Sequence, residues 1–364
     1  MHKPYALDLE EADWVQWLKS LGKPSFVAKQ IRRWLFSQGV ADPAAFSNLA
    51  KELRALLAES FRWGLADVDT RLDSSDDSEK FLLLTHDGLF TEMVLMPSPN
   101  RVTLCVSSQV GCRMGCTFCQ TGKLGLQRNL SRGEILAQLV LANQRLAERG
   151  EDRRVTNIVF MGMGEPLDNF DELVAACRTM IDPEAFGLSK HRVTVSTSGL
   201  VPEIRRLGEE LPVRLAISLH SPDDERRSRL MPVNRTYPLA ELKQALLEYP
   251  SPKRYGITFE YVMIKGENDS LWHAKKLVTF LHGLKAKVNL IPMNHFPGNP
   301  MAAAEAEQIR SFQEYLAQRS IPAPVRYSRG QDVSGACGQL AAKRQNELDV
   351  DPRVLRRQRK SLKF

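Results

Sequence analysis

Apolar positions recur with a helical period over the first sixty residues and with a period of two further on. In "KPSFVAKQIRRWLFSQG", Val27, Ile31 and Leu35 stand at i, i+4 and i+8, Pro24 lies near the start and Gly39 ends the run, which predicts a helix. "DLEEADWVQWLKSLG" has acids in its first turn and stops at Gly22, and "SNLAKELRALLAES" repeats the apolar spacing through Leu49, Leu53 and Leu56. These stretches form a small helical unit, assigned to residues 1–75. In "EKFLLLTHDGLFTEMVLMP" the period changes. Two apolar runs flank "HDG", which predicts a β-hairpin within 76–100.

After residue 101 strands and amphipathic helices alternate. "RVTLCVSS", "NIVFMG", "RVTVST", "VRLAISLH", "GITFEYVMI", "AKVNLIPM" and "PVRYS" read as strands. "SRGEILAQLVLANQRLAE", "LAELKQALLEY" and "LWHAKKLVTFLHGL" read as helices between them. The alternation predicts an α/β fold with a parallel sheet, barrel-like or open, over 101–342. A tail at 343–364 remains.

The chain has 364 residues, 43% hydrophobic and 26% charged, which suits a soluble globular class with one large and one small domain. No apolar run reaches the roughly 18 residues of a membrane span. "MHKPYALDLEEADW" carries no apolar signal segment, so the expected location is cytoplasmic, with reduced thiols and no membrane. The net charge is +7, and the last twelve residues hold six Lys or Arg and no acid. That balance permits a polyanionic partner. Arg226, Arg227, Arg229 and Arg235 in "ERRSRLMPVNRTYPL" read either as a solvated face or as phosphate contacts.

Four of the six cysteines lie in "LCVSSQVGCRMGCTFCQTGKLG". Cys112, Cys116 and Cys119 form C-x3-C-x2-C, and Cys105 stands seven residues ahead. Structural zinc prefers two separated ligand pairs; no second CxxC or HxxxH pair exists here, and His220 or His295 could supply a fourth ligand. Three thiolates suit a [4Fe–4S] cluster with one iron left open. Glu165 in "FMGMGEP" follows a strand and glycines that permit close backbone approach, so it reads as an acceptor for an ammonium group or as an exposed turn acid. Cys177 lies on an apolar helix face and reads as packing.

The cysteine loop resembles that of radical S-adenosylmethionine (SAM) enzymes. "SSQVGCRMGCTFC", "GMGEP", "VTVSTSG", "ISLHS", "LIPMNHFPG" and "ACGQL" together resemble, in order and over nearly the whole chain, the RlmN/Cfr family of RNA adenine methyltransferases. "PSFVAKQIRRWLF" resembles that family's helical accessory domain. The resemblance implies a partial (β/α) TIM-like radical SAM barrel, a [4Fe–4S] cluster on Cys112, Cys116 and Cys119, and SAM held by Gly164, Glu165, Ser196, Ser218, Leu219, His220 and Asn294. It implies that Cys337 is methylated by SAM and that its methyl group, activated by the 5′-deoxyadenosyl radical, adds to an adenine ring carbon. Glu92 then accepts a proton, and Cys105 resolves the adduct through a transient disulfide with Cys337. The implied partners are rRNA, with tRNA as a further substrate, and an electron donor such as flavodoxin, acting on a monomer. Methylation at C2 of 23S rRNA is the leading expectation. Ser328 before Arg329–Gly330, Gly335–Ala336 before Cys337, and Gln120 after Cys119 depart from the usual pattern and leave the target open. The alternatives are C8 methylation as in Cfr, another RNA target, a non-catalytic iron–sulfur RNA-binding protein, or a zinc protein with a His ligand.

Overall fold

Three short helices open the chain, α1 (Glu11–Ser20), α2 (Phe26–Arg32), continued as a π turn over Arg33–Ser37, and α3 (Lys51–Ser60). The computed structural model describes residues 3–251, 256–296, 298–327, 329 and 338–350, with backbone alone at 346 and 348–350. Cys337, Ser328, Gly335, Ala336 and the basic tail beyond 350 lie outside the described residues. Val27, Ile31 and Leu35 are buried as their spacing requires. In α3 the buried pair is Leu53 and Leu57, four apart, whereas Leu56 is exposed and Leu49 precedes the helix.

The helical unit is tied to the rest of the protein by apolar and polar contacts. Phe36 packs on Phe186, and Arg32 pairs with Glu11 and, at 2.6 Å, with Asp182. Arg132, buried at the start of α5 (Arg132–Glu148), donates to the Asp8 carbonyl at 2.9 Å and the Leu7 carbonyl at 3.3 Å. The Gly133 N–H donates to Asp8 Oδ1 at 2.6 Å, and one apolar core runs from Tyr5 and Trp14 through to Leu316.

Among the described residues nine strands make one sheet. β1 (Asp67–Asp73), β2 (Glu79–Leu84), β3 (Phe90–Ser98) and β4 (Arg101–Cys105) are antiparallel neighbours. β7 (Asn157–Phe160), β8 (Val193–Thr197), β9 (Arg214–Ser218), β10 (Ile257–Met263) and β11 (Ala286–Pro292) follow β4 in parallel. A separate hairpin, β5 (Gln109–Gly111) with β6 (Leu126–Asn129), brackets the cysteine loop and α4 (Gln120–Lys123). The helices α6 (Phe170–Ile181), α7 (Val201–Glu210), α8 (Asp224–Leu230), α9 (Leu239–Glu248), α10 (Leu271–Leu281) and α11 (Ala306–Ala317) are interleaved with the parallel strands, and α12 (Gln339–Val350) ends the described chain. This is a mixed α/β fold with a central parallel sheet, as the alternation predicts.

Period-two alternation sorts the side chains. Leu104, Ile158, Val195, Ile217, Phe259 and Leu290 enter the helix-backed core. The residues between them face the other way, and the register aligns Cys105 with Val94 and Val159, and Ser218 with Glu260 and Glu260 with Asn289. Glu92, two residues from Val94, shares that inner face. "PVRYS" forms only a bridge from Val325 to Leu290, because Pro322 and Pro324 have no N–H to give a ladder. Among the described residues no helix is long and apolar enough to cross a membrane.

Candidate active site

The cysteine loop closes over the C-terminal ends of the parallel strands. A cavity of about 310 Å³ lies between them, lined by Cys112, Cys116, Cys119, Gly164, Glu165, Ser196, Ser218, His220 and Asn294. The structure thus gathers residues from five separate motifs. Leu219 does not line the cavity: its side chain is buried in the core and its N–H bonds the Glu260 carbonyl at 3.1 Å. Met114, Phe118, Met231, Met293 and Phe296 complete an apolar wall, with Gln120 as a polar member of the lining.

Burial pushes the Cys112 thiol up to about 12, with neighbouring charges from Glu165 and Cys119 adding to it, and burial pushes Cys116 well above its usual range. Such thiols ionise only against strong positive charge, which iron supplies. Among the described residues no group of three His, Cys, Asp or Glu is close enough to hold a single metal ion. The thiols instead border one shared cavity, which suits a multi-iron cluster. Gln120 Oε1 is buried beside them with no protein partner, an acceptor left for a ligand.

Two close backbone approaches shape the loop. At Gly111, with φ +76°, a Cβ would lie 1.8 Å from the Gly125 carbonyl oxygen. At Gly164, with φ +104°, it would lie 2.6 Å from Gln109 Cβ. Gln109 then accepts from the Glu165 N–H at 2.8 Å and donates to Asp168 at 2.7 Å, locking "SSQVG" to "GMGEP". Glu165 is buried, not an exposed turn acid. Its carboxylate accepts from Ser198 N–H at 2.7 Å and Leu167 N–H at 3.1 Å, and burial raises its pKa against those bonds.

His220 adopts φ +55°, and its ring meets Phe118 edge-on at 4.6 Å. Its Nδ1 accepts from Val262 N–H at 3.0 Å, so Nε2 carries the proton. Burial, with Arg227 nearby, lowers its pKa to about 3 and keeps the ring neutral.

Arg227 departs from both sequence readings of the arginine run. It is fully buried and donates to the carbonyls of Ser198 (2.6 Å), Ser218 (3.2 Å) and Leu219 (3.2 Å), joining the ends of β8 and β9 beneath the loop. Its spacing with Leu230 at the end of α8 and Met231 just after it is the signal that places it inward. Arg229 pairs with Glu225 at 3.0 Å, and Arg226 donates to the Glu267 carbonyl at 2.6 Å. Cys177 is wholly buried in the core on α6, as packing.

Beside the cavity, on the inner face of β3 and β4, lie Glu92 and Cys105, both buried. Glu92 Oε2 accepts from the Gly338 N–H at 2.8 Å and pairs with Lys80 at 3.0 Å; Oε1 accepts from the Ala341 N–H at 2.8 Å. Glu92 and Lys80 are almost fully buried, and the pair holds the first turn of α12, next in sequence to Cys337. Lys80 was not singled out by sequence. Its register position opposite Val94, on the face that also carries Glu92, is the available signal.

The Radical SAM superfamily model matches residues 106–278, and the ribosomal RNA large subunit methyltransferase N-terminal domain model matches residues 6–62. The chain is 49% identical over 326 residues to the dual-specificity RNA methyltransferase RlmN of Anaeromyxobacter sp. (strain Fw109-5), covering 89% of this chain and 86% of that one. It is 46% identical to the enzyme of the same description from Syntrophobacter fumaroxidans, covering 90% and 95%. The crystal structure of a radical SAM methyltransferase from Sphaerobacter thermophilus superposes with a TM-score of 0.88 at 45% identity, over 92% of this chain and 98% of that one.

Proposed function

The chain belongs to the RlmN family, radical SAM RNA methyltransferases with a [4Fe–4S] cluster and SAM as cofactors, and from that premise we propose that it methylates C2 of an adenine in 23S rRNA, and of an adenine in tRNA, through a methylated Cys337. The observation that carries this reading is that Glu92, on the same sheet face as Cys105, holds the backbone immediately after Cys337.

Cys112, Cys116 and Cys119 would hold the cluster, which when bound would supply the electron for reductive cleavage of SAM. Gly164 and Glu165 receive the SAM ammonium, while Ser196, Ser218, His220 and Asn294 line its berth and Leu219 shapes it through its backbone. An adenine C2–H carbon is not a nucleophile, so direct transfer from SAM fails and the methylene has to arrive on Cys337. Once that methylene is bonded to C2 and the odd electron of the adduct has passed to a one-electron acceptor, Glu92 takes the C2 proton and a closed-shell thioether remains. Each carboxylate oxygen has two lone pairs. Oε2 already serves Gly338 and Lys80, so Oε1, with one donor, is where the proton goes. The Cys105 thiolate then attacks the Cys337 sulfur. An S–S bond forms, the S–CH2 bond breaks with its electron pair on carbon, and protonation gives the methyl group. The protein acts as a monomer in the cytoplasm and draws electrons from a flavodoxin-type donor in this reading.

Mass-spectrometric mapping of RNA from cells with and without the gene tests the target. Loss of 2-methyladenosine is expected; loss of 8-methyladenosine, or no change, overturns the C2 assignment.

A pH effect follows from Glu165. Burial raises its pKa, and an ammonium beside it favours the ionised form. SAM affinity should therefore rise with pH as Glu165 loses its proton, and Glu165→Gln should flatten that rise and weaken binding about 10- to 100-fold. Calorimetry across the acidic range checks this; an unchanged profile in the variant removes Glu165 from the ammonium site.

A further inference from the structure

A second set of charges lies on the inner face of the sheet, at the end away from the cysteine loop. Arg101 and Arg214 are the first residues of β4 and β9, and Lys287 is the second of β11. Their alternation with the core residues Val102, Leu215 and Val288 puts all three on the face that carries Cys105, Ser218 and Asn289. Arg326 follows the Val325 bridge that extends the sheet beyond β11, and its N–H donates to the Leu290 carbonyl at 2.7 Å.

Four strands separate β4 from β11 in the sheet, yet Arg101, Arg214 and Arg326 all act on Lys287 and, after partial burial, help lower its pKa. These cations therefore share one end of the sheet's inner face. The acid that answers them is Glu260, buried deeper and held by Asn289 Nδ2 at 2.8 Å. Among the described residues, Arg101, Lys287 and Arg326 have no carboxylate at ion-pairing distance. Like charges gathered in this way repel unless an anion joins them.

Two further features specify that anion. Tyr327, next to Arg326, is 67% exposed, a free ring beside a cation. Asn289 Oδ1 is buried without a partner, between the cations and the cavity that Glu260 also lines. An exposed aromatic beside a basic track suits single-stranded nucleic acid, and an orphaned amide oxygen suits an exocyclic amino group such as adenine N6. From Arg101 to Cys105 the strand rises roughly 13 Å, at about 3.3 Å per residue.

We propose that this end of the barrel is the RNA entrance: Arg101, Arg214, Lys287 and Arg326 hold the phosphodiester backbone of an unpaired strand, Tyr327 stacks a neighbouring base, and Asn289 receives the amino group of the adenine as it passes inward to Cys105. The inference rests on the reading of the cavity as the site of adenine methylation.

The test uses the reconstituted holoenzyme, unmodified transcribed 23S rRNA fragments as probe, and the variant Lys287→Gln/Arg326→Gln. RNA affinity should fall at least about 10-fold, and the slope of log affinity against log salt should shrink by about 1.4, for two phosphate contacts on a single strand. Tyr327→Ala should weaken binding about 5- to 100-fold with the slope unchanged. Methylation of Cys337 by SAM without RNA should keep the parental rate in both. An unchanged affinity and slope in the double variant overturns the entrance, as does a fall in affinity without a change in slope. If the parental enzyme itself leaves the RNA unmethylated, the functional reading fails instead, whatever the variants do.

Discussion

Replacing Cys105 with alanine should leave the enzyme covalently joined to its RNA. In the proposed mechanism, once the methylene on Cys337 has bonded to adenine, the only link that has to break is the S–CH2 bond, and a second sulfur is needed to take it. Cys105 ends β4 opposite Val94, on the inner face it shares with Glu92, and it is buried away from bulk thiols. No other cysteine can substitute: Cys112, Cys116 and Cys119 are committed to the loop cavity and Cys177 is enclosed in the core. After one turnover, a denaturing gel should show a slow band that ribonuclease collapses and thiol reductants leave intact, since the bond is a thioether. Steady turnover would falsify the assignment, and so would an adduct-free variant that still methylates Cys337.

The second large effect concerns Lys80 and Glu92. Removing one member of a buried ion pair strands the other charge, at a cost of about 3–5 kcal/mol, whereas neutralising both is milder. Lys80→Met should therefore be less stable than Lys80→Met/Glu92→Gln, in which the remaining defect is an imperfectly bonded backbone N–H at about 1–3 kcal/mol. Denaturant titration ranks them; if the double variant is the weaker, the two charges are not coupled. Glu92→Gln alone should keep Cys337 methylation but slow product release about 10²- to 10⁴-fold, the usual range for a lost proton acceptor. A variant with parental product release would take the base role away from Glu92.

Much of this was readable from the chain because it depends on short-range pattern. The alternation in "VRLAISLH" gives both the strand and the outward turn of Ser218, and the spacing of Cys112, Cys116 and Cys119 gives the loop. What escaped depends on partners distant in sequence. β1 was missed because "DVDTRLD" has only Val68 and Leu72 as apolar residues, on one face; as an edge strand it has little apolar surface to bury, and its charges discourage pairing with another chain. Arg227 looked like one of a solvated run, yet it is held by carbonyls from two other strands that no local spacing reveals. Nothing local marks Lys80, and only the arrival of α12 from more than two hundred and forty residues away gives Glu92, and hence Lys80, its surroundings.

The seam between the helical unit and the barrel has a consequence for how a substrate is chosen. Arg132 holds two carbonyls of the N-terminal segment, Arg32 reaches across to Asp182, and one apolar core runs through both parts. With that seam closed, the helical unit and the methylating cavity are the two jaws of a fixed caliper. An RNA that grips both gains from the second contact only if its target base stands at the set distance from its anchor. Selection then acts on the three-dimensional spacing within a folded RNA, and two RNAs of unrelated sequence can pass the same gauge.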